Sequence, residues 1–112
     1  MSELSDEDAK ILTLARSTRA RSGSSAGAAV RDADGRTYTA GGVELAALRL
    51  SALQAAVAAA YASGARDLEA AAVVTDADVS ADPGLAAVRE MSPTAPVFVA
   101  GADGVVLTVL RD

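Results

Sequence analysis

Residues 68–76, LEAAAVVTD, form a short and nearly continuous apolar run. A strand with one wet face alternates apolar and polar residues, whereas a strand covered on both faces does not. This run therefore predicts a strand with packed layers above and below it. The flanking sequence supplies candidates for those layers. Ser5-Asp6-Glu7-Asp8 reads as a helix start, with Ser5 as the cap and three acids against the positive end of the helix dipole. Ile11, Leu12, Leu14, Ala15 and Thr18 then recur at helical spacing. Arg16, Arg19 and Arg21 lie near the C-terminal end, and Gly23-Ser24-Ser25 ends the segment.

The stretch AGAAVRDADGRTYTAGGV (26–43) predicts a hairpin that turns through two residues, Asp34-Gly35, between apolar or β-branched arms. Its Ala-rich first arm suits a strand pressed closely on a helix. Gly41-Gly42 marks a bend after the second arm. A long helix is expected over 44–63, with Gly64 at its C-terminal cap. DADVSAD reads as loop. Asp82-Pro83 then opens a short helix through Met91, as N-cap and first helical residue, and Ser92-Pro93-Thr94 breaks it. APVFVAG (95–101) and VVLTVL (105–110) are two more strand candidates around Asp103-Gly104. The order α-β-β-α-β-α-β-β implies a mixed sheet layered with helices. With no internal repeat, linker or low-complexity tail, a single domain over 1–112 is expected.

Composition narrows the function classes. Hydrophobic residues make up 51% of the chain, which argues against disorder. Much of that share is Ala, and Tyr38, Tyr61 and Phe98 are the three aromatics. The expected core is closely spaced and built from Ala, Val and Leu. A net charge of −5 argues against general nucleic-acid or membrane-surface binding, and so few aromatics argue against a base-stacking platform. The chain has no Cys and no His. That excludes disulfides, thiol nucleophiles, imidazole bases and thiolate–imidazole zinc sites. MSELSDEDAK is acidic, with no basic-then-apolar leader pattern, and no uncharged apolar run reaches the length of a bilayer span. An intracellular, cytoplasmic protein is the expectation.

Several phrases, in this order and spacing, resemble the small cytidine deaminases over nearly the whole chain. They are GAAV and DGRTYTAG in the hairpin, Val43-Glu44, the helix ending in Ser63-Gly64, Arg66-Asp67, AAVVTD, AVRE-x-SP-x-AP and VFVAGADGVV. The resemblance implies a three-layer α/β/α domain with a mixed five-stranded sheet. It also implies chemistry at two helix starts. There the family carries Cys (or His)-Ala-Glu and Pro-Cys-x-x-Cys, three side chains bind zinc, and the Glu moves protons without binding the metal. Counting back from Gly64, the first motif falls on Ser51-Ala52-Leu53. Counting back from Arg89-Glu90, the two cysteines fall near Ala81 and Gly84. On this correspondence Ser51 replaces a zinc ligand and Leu53 replaces the proton shuttle. Structural zinc supplies roughly 10–16 kcal/mol of apparent binding energy in small domains, so packing and the Asp82-Pro83 cap have to hold the same corner here. The family's ribose-binding Asn-Val-Glu-Asn reads Gly42-Val43-Glu44-Leu45, leaving only Glu44. The base-stacking Phe expected near the first strand is absent from SGSSAGAA, and the family's extension after the last strand is missing because the chain stops at Asp112.

Other residues carry two readings each. Glu44 could bind a ribose hydroxyl, or be a polar residue leading into the helix. Asp76, Asp78 and Asp82 could hold a hard cation, but Asp-x-Asp here lacks the later Gly and terminal Glu of a calcium loop, so turn and capping roles are preferred. Ser24, Ser25 and Ser51 have few candidate activators in a chain with no His and one Lys, Lys10. Gly41-Gly42 and Gly101-Ala102-Asp103-Gly104 lack the spacing and Lys of a phosphate loop. Arg16, Arg19 and Arg21 could form an anion-binding edge, or a solvated helix end. RLSALQAAVAAAYASG (49–64) has one charge, Arg49, and is apolar around its whole circumference. Such a helix is buried on all sides, by a second subunit in so small a domain, or is an ordinary core helix with some Ala exposed. The resemblance implies a homo-oligomer, a dimer or tetramer.

Three functional readings follow, in this order. The first is a catalytically inactive relative kept as an oligomeric scaffold or protein-binding partner, with no cofactor or metal. The second is a sensor holding a nucleoside or related metabolite in a residual pocket. The third is an altered hydrolase with a carboxylate-bound metal.

Overall fold

Helix α1, Asp6–Ser22, begins where local chemistry dictates. Ser5 is its N-cap and accepts the Asp8 N–H at 3.1 Å, and Gly23 closes it in the left-handed region at φ 70°. The computed structural model describes residues 4–111. Met1–Glu3 and Asp112 lie outside the described residues, and with them the ends of the acidic N-terminal stretch and of the 1–112 domain span.

Strand β1 (Ala26–Asp32) pairs antiparallel with β2 (Thr37–Gly41) and, on its other side, with β5 (Leu68–Thr75). β5 runs parallel to β6 (Val97–Ala100), joined to it through helix α3 (Pro83–Met91). β6 pairs antiparallel with β7 (Val106–Leu110), giving a mixed five-stranded sheet of order β2-β1-β5-β6-β7. Helix α2 (Ala52–Ala62) lies with α3 on one face, and α1 lies on the other. The domain is thus the three-layer α/β/α arrangement that the resemblance implies.

β5 explains why both layers exist. Its odd positions Ala71 and Val73 enter the core under α2 and α3, with Val30, Leu53, Val88 and Val97. Its even positions Ala70, Ala72 and Val74 enter the core under α1, with Ile11, Ala15 and Phe98. Small side chains let the layers approach closely. At Gly27 an added Cβ would fall within van der Waals contact of the Ala15 carbonyl oxygen and 2.6 Å from the Arg19 nitrogen, both backbone atoms of α1.

The structure departs from the sequence expectation in three places. The hairpin loop has three residues, Ala33-Asp34-Gly35, because the Asp32 N–H already bonds to the Arg36 carbonyl at 2.9 Å, and Gly35 takes φ 86°. The buried Asp32 carboxylate organises this loop, accepting the Asp34 and Arg36 N–H groups on Oδ1 and the Tyr38 hydroxyl on Oδ2. Burial opposes its charge, but these donors outweigh burial and hold the carboxyl below its usual range. The Asp32 carboxylate in turn raises the Tyr38 hydroxyl above its usual range.

The second departure concerns the long helix. α2 starts at Ala52, and residues before it form a small hairpin in which β3 (Val43–Glu44) pairs with β4 (Arg49–Leu50). The Leu45 N–H closes the turn on the Leu48 carbonyl at 2.9 Å. The Ala and Leu of this turn favour a helix by only tenths of a kcal/mol per residue, and tertiary pairing overrides that preference. Third, the loop DADVSAD contains a single 3₁₀ turn, Val79–Ala81, capped by Asp78.

α2 buries Ala52, Leu53, Ala56, Val57 and Ala60 against the sheet. Its outward face is not buried in the single chain: Ala58, Tyr61 and Ala62 are exposed. Among the described residues, no helix is long and apolar enough to cross a membrane.

Candidate functional site

The N-termini of α2 and α3 converge at one end of the sheet. Ser51 is the N-cap of α2, in extended conformation, and forms a reciprocal capping box with Gln54. Asp82 is the N-cap of α3, followed by Pro83 at the first helical position. Ser51 falls inside the helix expected over 44–63, and only the Asp82 cap is legible in sequence. The meeting of the two caps is not legible there: the Ser51 hydroxyl donates to Asp82 Oδ1 at 2.6 Å.

Behind these caps the corner is filled. Leu53 is fully buried, and Gly84 packs against it so closely that an added Cβ would stand 2.6 Å from Leu53 Cβ and 2.8 Å from the Gln54 nitrogen. In front of the caps lies an open cleft of about 310 Å³. Ser24, Glu44, Ser51, Thr75, Asp78 and Asp82 supply its polar lining, with Ala52, Val79 and Ala81 among its apolar surfaces. The Ser24 hydroxyl holds the cleft's edge by accepting the Gly42 N–H at 2.9 Å. The Ser80 hydroxyl and N–H keep the Asp78 carboxyl below its usual range.

The structure therefore brings Ser51, Leu53, Ala81 and Gly84 to one corner, with Glu44 across the cleft. Glu44 is exposed on β3, opposite Arg49, and does not lead directly into a helix as the sequence suggested. Asp76 turns away to pair with Arg19 at 3.2 Å, while Asp78 and Asp82 cap helical turns. Two arginines of α1 tie loops to the helix, Arg16 to the Ala102 carbonyl and Arg19 to the Ser25 carbonyl, while Arg21 donates to the Thr18 hydroxyl within the helix. Sequence reasoning did not place Thr75 in the cleft wall, because its β-branched side chain ends a strand and gives no local sign of a cavity.

The zinc ion that the resemblance implies does not fit the residues present. Leu53, Ala81 and Gly84 offer no side-chain donor, and the Ser51 hydroxyl is engaged with Asp82 and Gln54. Thiolate, imidazole or carboxylate ligands are what zinc requires. Among the described residues, no three His, Cys, Asp or Glu side chains cluster as a metal would need.

Comparison with known proteins supports the fold and gives the family. No curated protein matches the chain significantly in sequence. The structure is similar to cytidine deaminase from Burkholderia pseudomallei, with TM-score 0.75 and 24% identity, covering 96% of this chain and 93% of that one. It is also similar to cytidine deaminase from Mycobacterium leprae, with TM-score 0.67 and 24% identity, covering 91% and 90% of the two chains. At that identity the likeness speaks for the fold. The model of the cytidine deaminase-like family matches residues 4–104, nearly the whole chain, and the chain belongs to that family.

Proposed function

We propose that this member of the family does not deaminate, and serves as a metal-free oligomeric scaffold or protein-binding partner. One observation carries the reading: Leu53, fully buried against Gly84, occupies the position that the resemblance gives to the proton-shuttling carboxylate. Deamination by this route needs a metal-activated water and a carboxylate beside it. A hydroxyl, an aliphatic side chain and a hydrogen provide neither. Purified protein is expected to contain no stoichiometric zinc, and its turnover of cytidine and deoxycytidine is expected to equal the blank. Activity that scales with protein concentration would overturn the reading.

The oligomer rests on the outward face of α2. Ala55, Ala58, Ala59 and Ala62 form an uncharged stripe beside the exposed Tyr61. Light scattering at micromolar concentration is expected to give the mass of a dimer or tetramer, and a monomer would count against a second copy on this face.

The open cleft favours a second reading, a nucleoside or metabolite sensor. Its volume lies at the lower end of small-molecule sites. Glu44, Asp78 and Asp82 line it without a single Lys or Arg, so it suits a neutral ligand better than a phosphorylated one. A thermal-shift comparison is expected to separate them: a nucleoside that binds the folded form raises Tm, and its 5′-phosphate raises it less. A larger shift with the phosphate would contradict this account of the cleft.

A further inference from the structure

α2 and α3 each present a positive dipole end to the corner, yet neither has an acidic residue in its first turn. Asp82 is the carboxylate hydrogen-bonded at both. Its Oδ1 accepts the Gly84 N–H of α3 at 2.7 Å and the Ser51 hydroxyl of α2 at 2.6 Å. Ser51 Oγ meanwhile accepts the Gln54 N–H at 3.0 Å, and Gln54 Oε1 accepts the Ser51 N–H at 3.0 Å. Four hydrogen bonds thus run from the first turn of one helix to the first turn of the other. The link between them is a hydroxyl donating to a carboxylate, a charge-assisted bond stronger than a neutral one.

We infer that the Ser51–Asp82 bond is a metal-free staple joining the two helix starts where the resemblance implies that zinc would join them. This rests on the metal-free reading and adds a specific consequence: the two caps work as one unit, so the starts of α2 and α3 lose order together. Leu53 and Gly84 fit beneath the staple and keep water from its inner side. The arrangement also explains why Asp82 and Ser51 are both short side chains, since each must reach its own helix's N–H and the other residue at once.

Thermal melts of the full chain test the coupling. Ser51→Ala and Asp82→Ala are each expected to lower Tm by about 4–8 °C, the size of one lost cap in a domain of this length. The double variant is expected to fall short of the sum, because the shared bond is lost only once. Ser51→Asp supplies an equally good cap for α2 but sets a second carboxylate against Asp82, and a lower Tm is expected. Combining it with Asp82→Ser restores one hydroxyl and one carboxylate, and most of the Tm is expected to return. Additive losses, with a swap no better than its two parts, would overturn the staple in zinc-free protein. Stoichiometric zinc in the same preparation would instead sink the metal-free reading, and the staple with it.

Discussion

Leu53→Glu, which writes the family's carboxylate back into the sequence, is expected to destabilise the domain by on the order of 4–5 kcal/mol at neutral pH and to restore no deaminase activity. Leu53→Ala is expected to cost about 2–5 kcal/mol through lost burial and a residual cavity. Glu is close to Leu in volume and leaves no such cavity, but it sets a carboxylate in a corner that is fully buried, between Gly84 and apolar core residues. Among these apolar neighbours its charged form is disfavoured and its pKa rises above the unfolded value. The sign of the pH dependence follows. A folded-state pKa above the unfolded one means that the folded state holds the proton longer, so stability is greatest below the unfolded pKa and falls as pH rises towards the folded one. The variant should therefore be less destabilised at pH 5 than at pH 8. Urea titrations of wild type, Leu53→Ala and Leu53→Glu at both values check this. Equal stability of Leu53→Glu and wild type at pH 8 would mean that the corner is open to water, and the reading of a closed site would fail.

Gly27→Ala is expected to cost at least about 3 kcal/mol, at the upper end of what overpacking a core inflicts. The new methyl would meet the Ala15 carbonyl oxygen and the Arg19 nitrogen, which are backbone atoms of α1 and cannot rotate aside. The helix would have to lift from β1, loosening Ile11, Leu12 and Ala15 from Ala29, Ala72 and Val74. Gly23→Ala makes the useful comparison. Gly23 has φ 70° and open space around it, so the change costs only the left-handed conformation, about 1–2 kcal/mol. Denaturation midpoints for the two variants should differ accordingly. A Gly27→Ala protein within about 0.5 kcal/mol of wild type would show that α1 does not press on β1 as closely as the geometry states.

These two sites differ in how much of them the sequence discloses. The close approach at Gly27 is hinted at by the Ala-rich arm AGAAV, which suits a strand pressed on a helix. Leu53 is identified only through the resemblance, since a Leu in an Ala-rich helix is unremarkable by itself. Helix α1 is legible almost to the residue, because its cap, its apolar spacing and its terminal glycine are all local signals. The same holds for α3, where Asp82-Pro83 fixes the start. The β3–β4 hairpin is illegible because Leu45 to Leu48 carry helical propensity, and only the pairing of Val43-Glu44 with Arg49-Leu50 defeats it. The hairpin loop is misread by one residue because Asp34-Gly35 suits either turn, and the buried Asp32 carboxylate selects the longer one.

The sequence by itself determined the layered architecture, the caps at Ser5 and Asp82, and the lack of any thiol or imidazole at the two helix starts. Each of these is written in residue type and in spacing of a few positions, which is the range over which backbone geometry acts. Only the tertiary structure decided that Ser51 and Asp82 share a hydrogen bond, that Gly84 closes on Leu53, and that a cleft stands open before them. These depend on two helices meeting across about thirty residues of intervening chain, and contacts between remote positions leave no pattern along the chain itself.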